Sequence, residues 1–249
     1  LSLLTVGVAI TIMTGTVALG QQMAQATQEM TEKWSGRATT LTVAAWPADW
    51  TKIGELSEEI QEFTVDHEIE YASRESSGWG QFSTVAGTLD LSLMIVDPDY
   101  AVIHRLNVGT GSWFGPGDVQ RLAPAVVVNE AFLTQLGLPK DLSVQPELRM
   151  ISGGPRALEH QSFVVIGVVP NQSEWASPTA YALYDSLESI VGAAEMSNYF
   201  MGSTKMWIPS DLESTAPEAL RAQLQPLVGE SGSVDIQSSS QMGGGEDFN

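Results

Sequence analysis

Residues 1–28 carry no charge, and Leu1 to Gly20 is an almost unbroken apolar run. At about 1.5 Å rise per residue, twenty helical residues reach across a hydrocarbon core about 30 Å thick. Backbone groups in lipid must be satisfied internally, so a continuous helix is the expected conformation. Thr and Gly within the run are common in membrane helices. A secretory signal peptide is the competing reading, because Ala24-Gln25-Ala26 offers a small-residue cleavage site. The run is longer than a typical signal core and has no basic flank ahead of it, so a membrane span is the expectation.

All charged residues lie downstream, 30 acidic against 11 basic, for a net charge of −19. Phosphate backbones need clustered Lys/Arg, so nucleic acid is excluded as a partner. The 249 residues contain no cysteine, which rules out disulfides and thiolate metal sites. An acidic domain poor in Lys/Arg, hung from a membrane helix, fits the outer side of a bacterial cell membrane. The length beyond the span allows one large domain or two small ones.

The first helix is expected to continue out of the bilayer. Met23, Ala26, Met30 and Trp34 recur at helical spacing, and Gly36 is a stop signal. This stalk stripe packs either on its own domain or on a partner helix. Thr39–Trp46 is β-branched and reads as a strand. Asp49 can cap a helix whose face carries Trp50, Ile53, Leu56, Ile60 and Phe63, with Glu55, Glu58, Glu59 and Glu62 opposite. Glu68–Ala72 reads as a second strand, Ser73–Gly80 as a polar loop, and Phe82–Val96 as a hairpin or bent strand at Gly87. Ala125–Val128 is a short buried strand, and Asn129 caps a helix closed by Gly137. Leu148–Ser152 and Ser162–Val169 are strands, Tyr181–Met196 a helix, and Lys205–Ile208 a strand stopped by Pro209. Thr215-Ala216-Pro217-Glu218 has a capping-box pattern before a helix that Pro226 interrupts. Ser233–Gln237 is a last strand, with a Ser/Gly-rich linker from Ser238.

Catalytic patterns are absent from the sequence. His67, His104 and His160 are isolated, with no paired metal-ligand spacing. No G-x-S-x-G elbow occurs. The glycines from Gly109 to Gly117 do not form G-x-G-x-x-G, and no phosphate-loop lysine follows. No cofactor is expected, and no enzymatic activity. Met196, Met201 and Met206 lie among Tyr199, Phe200 and Trp207. Two readings stand: core filling, or adaptable hydrophobic surface at Met196, Tyr199, Phe200 and Met201.

One block resembles a known family. Val96-Asp97-Pro98-Asp99-Tyr100, Leu106-Asn107-Val108, then Gly111-Ser112-Trp113-Phe114 and Asp118 is similar to the extracytoplasmic V-x-P-x-Y-F … G-R-x-F … acid pattern of MacB/FtsX-type ABC transporter permeases. Ala125–Leu133 and Phe163–Val169, the latter with Gly167, resemble the strands that follow. Pro98, Tyr100, Gly111, Phe114, Asp118 and Gly167 are the matched structural positions. Ser112 stands where the family has arginine, and Leu138-Pro139-Lys140 replaces its P-x-G.

The resemblance implies an α+β fold. Residues 1–37 are a transmembrane helix and stalk. Residues 38–80 and 171–238 form a Porter-like β-α-β subdomain, 81–170 an inserted Sabre-like, mostly-β subdomain, and 239–249 a linker toward a following membrane helix. It also implies a dimer of permease subunits and a cytoplasmic ATP-binding subunit or domain. The substrate would be a hydrophobic molecule, lipid, lipoprotein or peptide. The outer domain would couple ATP hydrolysis to export or mechanotransmission across the envelope. Two rival functions remain: a secreted or membrane-anchored binding module, and an envelope hydrolase assembled from scattered residues.

Overall fold

The computed structural model describes Gln25, Thr27, Glu32 and Ser35, residues 36–199 and residues 201–242. Among the described residues, no helix is long and apolar enough to cross a membrane. The apolar run at 1–20 and the stalk positions Met23, Met30 and Trp34 lie outside them.

In chain order the elements begin with β1 (Thr40–Trp46), α1 (Ile53–Asp66), β2 (Tyr71–Thr84) and β3 (Gly87–Val96). There follow α2 (Tyr100–Ile103), β4 (Thr110–Gly111), β5 (Ala125–Asn129), α3 (Glu130–Gln135), β6 (Leu148–Ser152) and β7 (Ser162–Val169). Next come β8 (Thr179–Leu183), α4 (Tyr184–Val191) and α5 (Ala193–Tyr199). The chain closes with β9 (Met201–Trp207), α6 (Ala216–Val228), β10 (Ser233–Ser238) and α7 (Ser239–Met242).

Four strands form one end of the sheet in the order β10-β1-β9-β2. β9 runs antiparallel between β1 and β2, and β1 runs antiparallel between β10 and β9. Each helix therefore links two parallel strands separated by one antiparallel neighbour, the ferredoxin-like double split β-α-β. The expected β1-α1-β2 unit exists, but a strand from much later in the chain divides it. Leu56, Ile60 and Phe63 of α1 pack with Leu220, Leu224 and Val228 of α6 over Leu41, Val43, Met206 and Ile236. Burying each such side chain contributes about 1.5–3 kcal/mol. Asp49 caps a 3-10 turn (Trp50–Lys52) rather than α1 itself, its carboxylate accepting from Thr51 N–H. At the far end His67 closes α1, its ring stacked on Phe63 at 3.9 Å. Thr215 precedes α6 without a side-chain capping bond, and Pro226 stays inside the helix.

The other strands close on themselves. β2 pairs β3, β3 pairs β8, β8 pairs β5, β5 pairs β7, β7 pairs β6, and β6 returns to β2. This six-stranded ring removes its own sheet edges. Its core contains Phe82, Leu91, Leu93, Ile95, Val126, Val128, Leu148, Met150 and Val165, joined by Phe132 of α3 and Leu187 of α4.

Three expectations are corrected here. Ser73–Gly80 is not a loop: it is the middle of β2, which serves both lobes and is paired along its length. Its buried polar side chains Ser73 and Glu75 are tolerated because both find hydrogen-bond partners. Tyr181–Leu183 belongs to a strand, and only from Tyr184 does the chain become helical. β8, α4 and Met196 pack into the ring's core, although 171–238 was assigned to the Porter-like unit. Parallel pairing of β8 with β3 draws that stretch across.

Candidate coupling site

The residues at either side of the ferredoxin-like unit meet at one point. Ser239 Oγ accepts from the Thr40 N–H at 3.0 Å and donates to the Arg37 carbonyl at 2.9 Å. Arg37 in turn grips α2: its N–H donates to Ile103 O at 3.0 Å and its Nε to Val102 O at 2.8 Å. The Arg37 guanidinium lies 4.7 Å from the Trp207 ring centre. Upstream, buried Glu32 pairs with Arg105 at 2.5 Å. Arg105 takes a left-handed backbone (φ 49°) where the chain leaves α2. The segment entering the fold is thus bonded to the carbonyls of α2 through Arg37 and to Arg105 just beyond it through Glu32.

Beneath α2, on the sheet face away from α1 and α6, sits a buried polar triad. Glu75 Oε1 is 3.0 Å from His104 Nε2, and Oε2 is 3.1 Å from Lys205 Nζ. Nζ and Nε2 are themselves 3.2 Å apart. Both partners converge on one carboxylate, the arrangement that makes burial of a charge tolerable. His104 also stacks on Tyr100 at 4.2 Å.

Tyr100 opens an aromatic cluster on the outer face of the ring. Its ring lies 5.7 Å from Tyr181 and 6.4 Å from Trp113. Trp113 touches Phe114 and Tyr181. The Trp113 indole N–H donates to Pro98 O at 2.8 Å. Burial pushes the Tyr181 phenol up to about 12 and Tyr100 well above its ordinary range. The Asp118 carboxylate closes the following turn, accepting from Gly115 N–H and Arg121 Nε, while its carbonyl accepts from Ser186 of α4. Gly111 and Gly167 are backbone partners in β4 and β7.

A second hub joins the lobes from the other sheet face. The guanidinium of Arg74 in β2 donates twice to Asp97 at the end of β3, at 2.7 and 2.9 Å, and also bonds Asp185 of α4. Glu188 lies 3.7 Å away, and the guanidinium covers the Tyr184 ring at 4.0 Å. Burial works against its charge, but Asp97 and Asp185 outweigh that and raise its pKa. Beside this hub a cavity of about 340 Å³ opens between α1 and α4, floored by β1, β2 and β9.

Among the positions singled out by sequence, Pro98, Tyr100 and Phe114 come together in or beside the aromatic cluster. Asp118 lies at its margin, and Gly111 and Gly167 lock the adjoining strand pair. Met196 is a correction: it is buried to 1% exposure in the ring core and offers no surface. The side chains of Tyr199, Phe200 and Met201 are outside the described residues. Arg74, Glu75, His104 and Lys205 were missed. The first two lie in the polar stretch expected to be a loop, which has no apolar alternation to mark it as a strand. No group of His, Asp or Glu among the described residues is poised to hold a metal ion.

The sequence pattern of the MacB-like periplasmic core domain matches residues 1–227. The fold is similar to the periplasmic region of MacB from Actinobacillus actinomycetemcomitans, with TM-score 0.61 and 17% identity, covering 82% of this chain and 90% of that one. It is also similar to the extracellular domain of the noncanonic ABC-type transporter YknZ from Gram-positive bacteria, with TM-score 0.56 and 14% identity, covering 79% and 99%. No curated protein matches the chain. The match over most of the sequence decides the assignment: this chain belongs to the MacB-like periplasmic core domain family.

Proposed function

We propose that this domain couples cytoplasmic ATP hydrolysis to export or mechanotransmission, as one of two permease subunits served by an ATP-binding subunit. Leu1–Gly20 would anchor it in the cell membrane, and its cargo would be a hydrophobic molecule, lipid, lipoprotein or peptide. The domain itself would perform no chemistry. The observation carrying this reading is the convergence at the base. On the entering segment Arg37 is bonded to α2 and Glu32 to Arg105 just beyond it, and Ser239 on the leaving segment is bonded to Arg37. Displacement of that point would bear on α2, then on Tyr100 and its aromatic neighbours against β8. Contact along a path supports coupling only when a two-state element is measured.

These 249 residues contain no cysteine, so a label placed among them is unique once any cysteines elsewhere in the permease and its ATPase are replaced. Single cysteines at exposed Glu218 in the full-length permease, assembled with its ATPase in nanodiscs, take one spin label per subunit. The expected result is a distance distribution that differs between ATP-bound and ADP-bound complexes. Identical distributions in both states, with ATP turnover intact, would leave a passive binding module as the correct description.

A further inference from the structure

The cavity between α1 and α4 has a definite chemical character. Its rim carries two indoles exposed far beyond what core packing requires, Trp46 at 37% and Trp50 at 53%. Tyr184 supplies a third aromatic wall. The one guanidinium at the site, Arg74, is already engaged by Asp97, Asp185 and Glu188 and lies flat on Tyr184. Glu58 of α1 lines the opposite side, with Glu188 on α4. One cation thus stands against four carboxylates, in a chain whose net charge is −19.

A volume of about 340 Å³ lies within the range of small-molecule sites, which favour domain interfaces. Indole faces attract cations through their quadrupole, and carboxylates in a cleft add a focused negative potential. An anion would meet only a guanidinium that is already neutralised. We infer that this groove binds a small organic cation, its charged nitrogen between Glu58 and Glu188 and its apolar body against Trp46 and Trp50. The inference rests on the proposed reading only in placing the groove on the extracytoplasmic side. Binding is measured without nucleotide, so its failure leaves the coupling measurement untouched.

The probe is benzyltrimethylammonium, with benzenesulfonate and benzyl alcohol as anionic and neutral comparisons. Each is titrated by saturation-transfer NMR against the full-length chain in zwitterionic nanodiscs, with empty nanodiscs subtracted. The cation should bind about tenfold tighter than either comparison. Glu58→Gln and Glu188→Gln should each weaken it about threefold, and Trp46→Ala with Trp50→Ala about tenfold or more. Glu58→Gln keeps the test independent of folding, since that side chain is exposed. Benzenesulfonate binding as tightly as the cation would overturn the inference. So would unchanged cation affinity in the Glu58→Gln/Glu188→Gln variant at undiminished melting temperature.

Discussion

Gly111 and Gly167 are Cα partners across β4 and β7, and at both positions the backbone of the facing strand leaves no room for a side chain. A Cβ on Gly111 would fall 2.1 Å from Ile166 O, and one on Gly167 would fall 2.3 Å from Ser112 O. Gly111 also has φ of 77°, which disfavours any side chain. Gly111→Ala and Gly167→Ala should each destabilise the domain by about 2–4 kcal/mol. Gly54→Ala, on α1 with no atom near its added Cβ, should instead stabilise by about 0.5 kcal/mol. Urea unfolding midpoints check all three.

Arg74 holds the two lobes together through side chains on β3 and α4. Arg74→Met leaves Asp97, Asp185 and Glu188 facing one another without their shared cation. A partly exposed group is worth less than a buried one, so a loss of about 1–3 kcal/mol is expected. The variant should also recover stability as salt is raised, because screening relieves the remaining like-charge repulsion. Urea melts at low and high ionic strength read both effects.

Tyr181 sets an alkaline limit. Its folded pKa of about 12 exceeds the ordinary value of 10.0, so the folded state holds the phenolic proton more tightly. That contribution is fully present below pH 10 and is lost as pH rises from 10 toward 12. Melting temperature should therefore fall across this window. In Tyr181→Phe the fall should be shallower, since one of the buried phenols no longer ionises.

Lys205→Met removes one of two partners from buried Glu75. The expected cost is about 2–4 kcal/mol, because a buried carboxylate left short of partners is expensive. Glu75→Gln in the same chain should restore part of it. A double-mutant cycle by urea unfolding should give a coupling of at least about 1 kcal/mol. A coupling near zero would show that the triad is not an energetic unit.

Local chemistry was legible where it is governed by neighbours in sequence. The limits of β6 and β7 coincide with the strands expected on either side of Gly153-Gly154-Pro155, and Asn129 caps α3 by accepting from Phe132 N–H. Gly137, with φ of 66°, closes that turn. The failures arise from distant pairing. Nothing in residues 73–80 announces that β9 lies on one side of them and β3 on the other, which lets a polar stretch be a strand. Tyr181–Leu183 carries a helix-compatible spacing but is claimed by β3 and β5. The aromatic cluster was visible as a motif, whereas the Glu75–His104–Lys205 triad joins residues from three separated segments that share no spacing.

The bonds from Ser239 to Arg37 and Thr40 mean that the polypeptide enters and leaves this lobe through a single doorway. Tension applied across that doorway loads those two hydrogen bonds first, ahead of the β1–β10 ladder behind them. Movement of the doorway as a whole, by contrast, swings everything beyond it like a paddle on one hinge, without deforming either core.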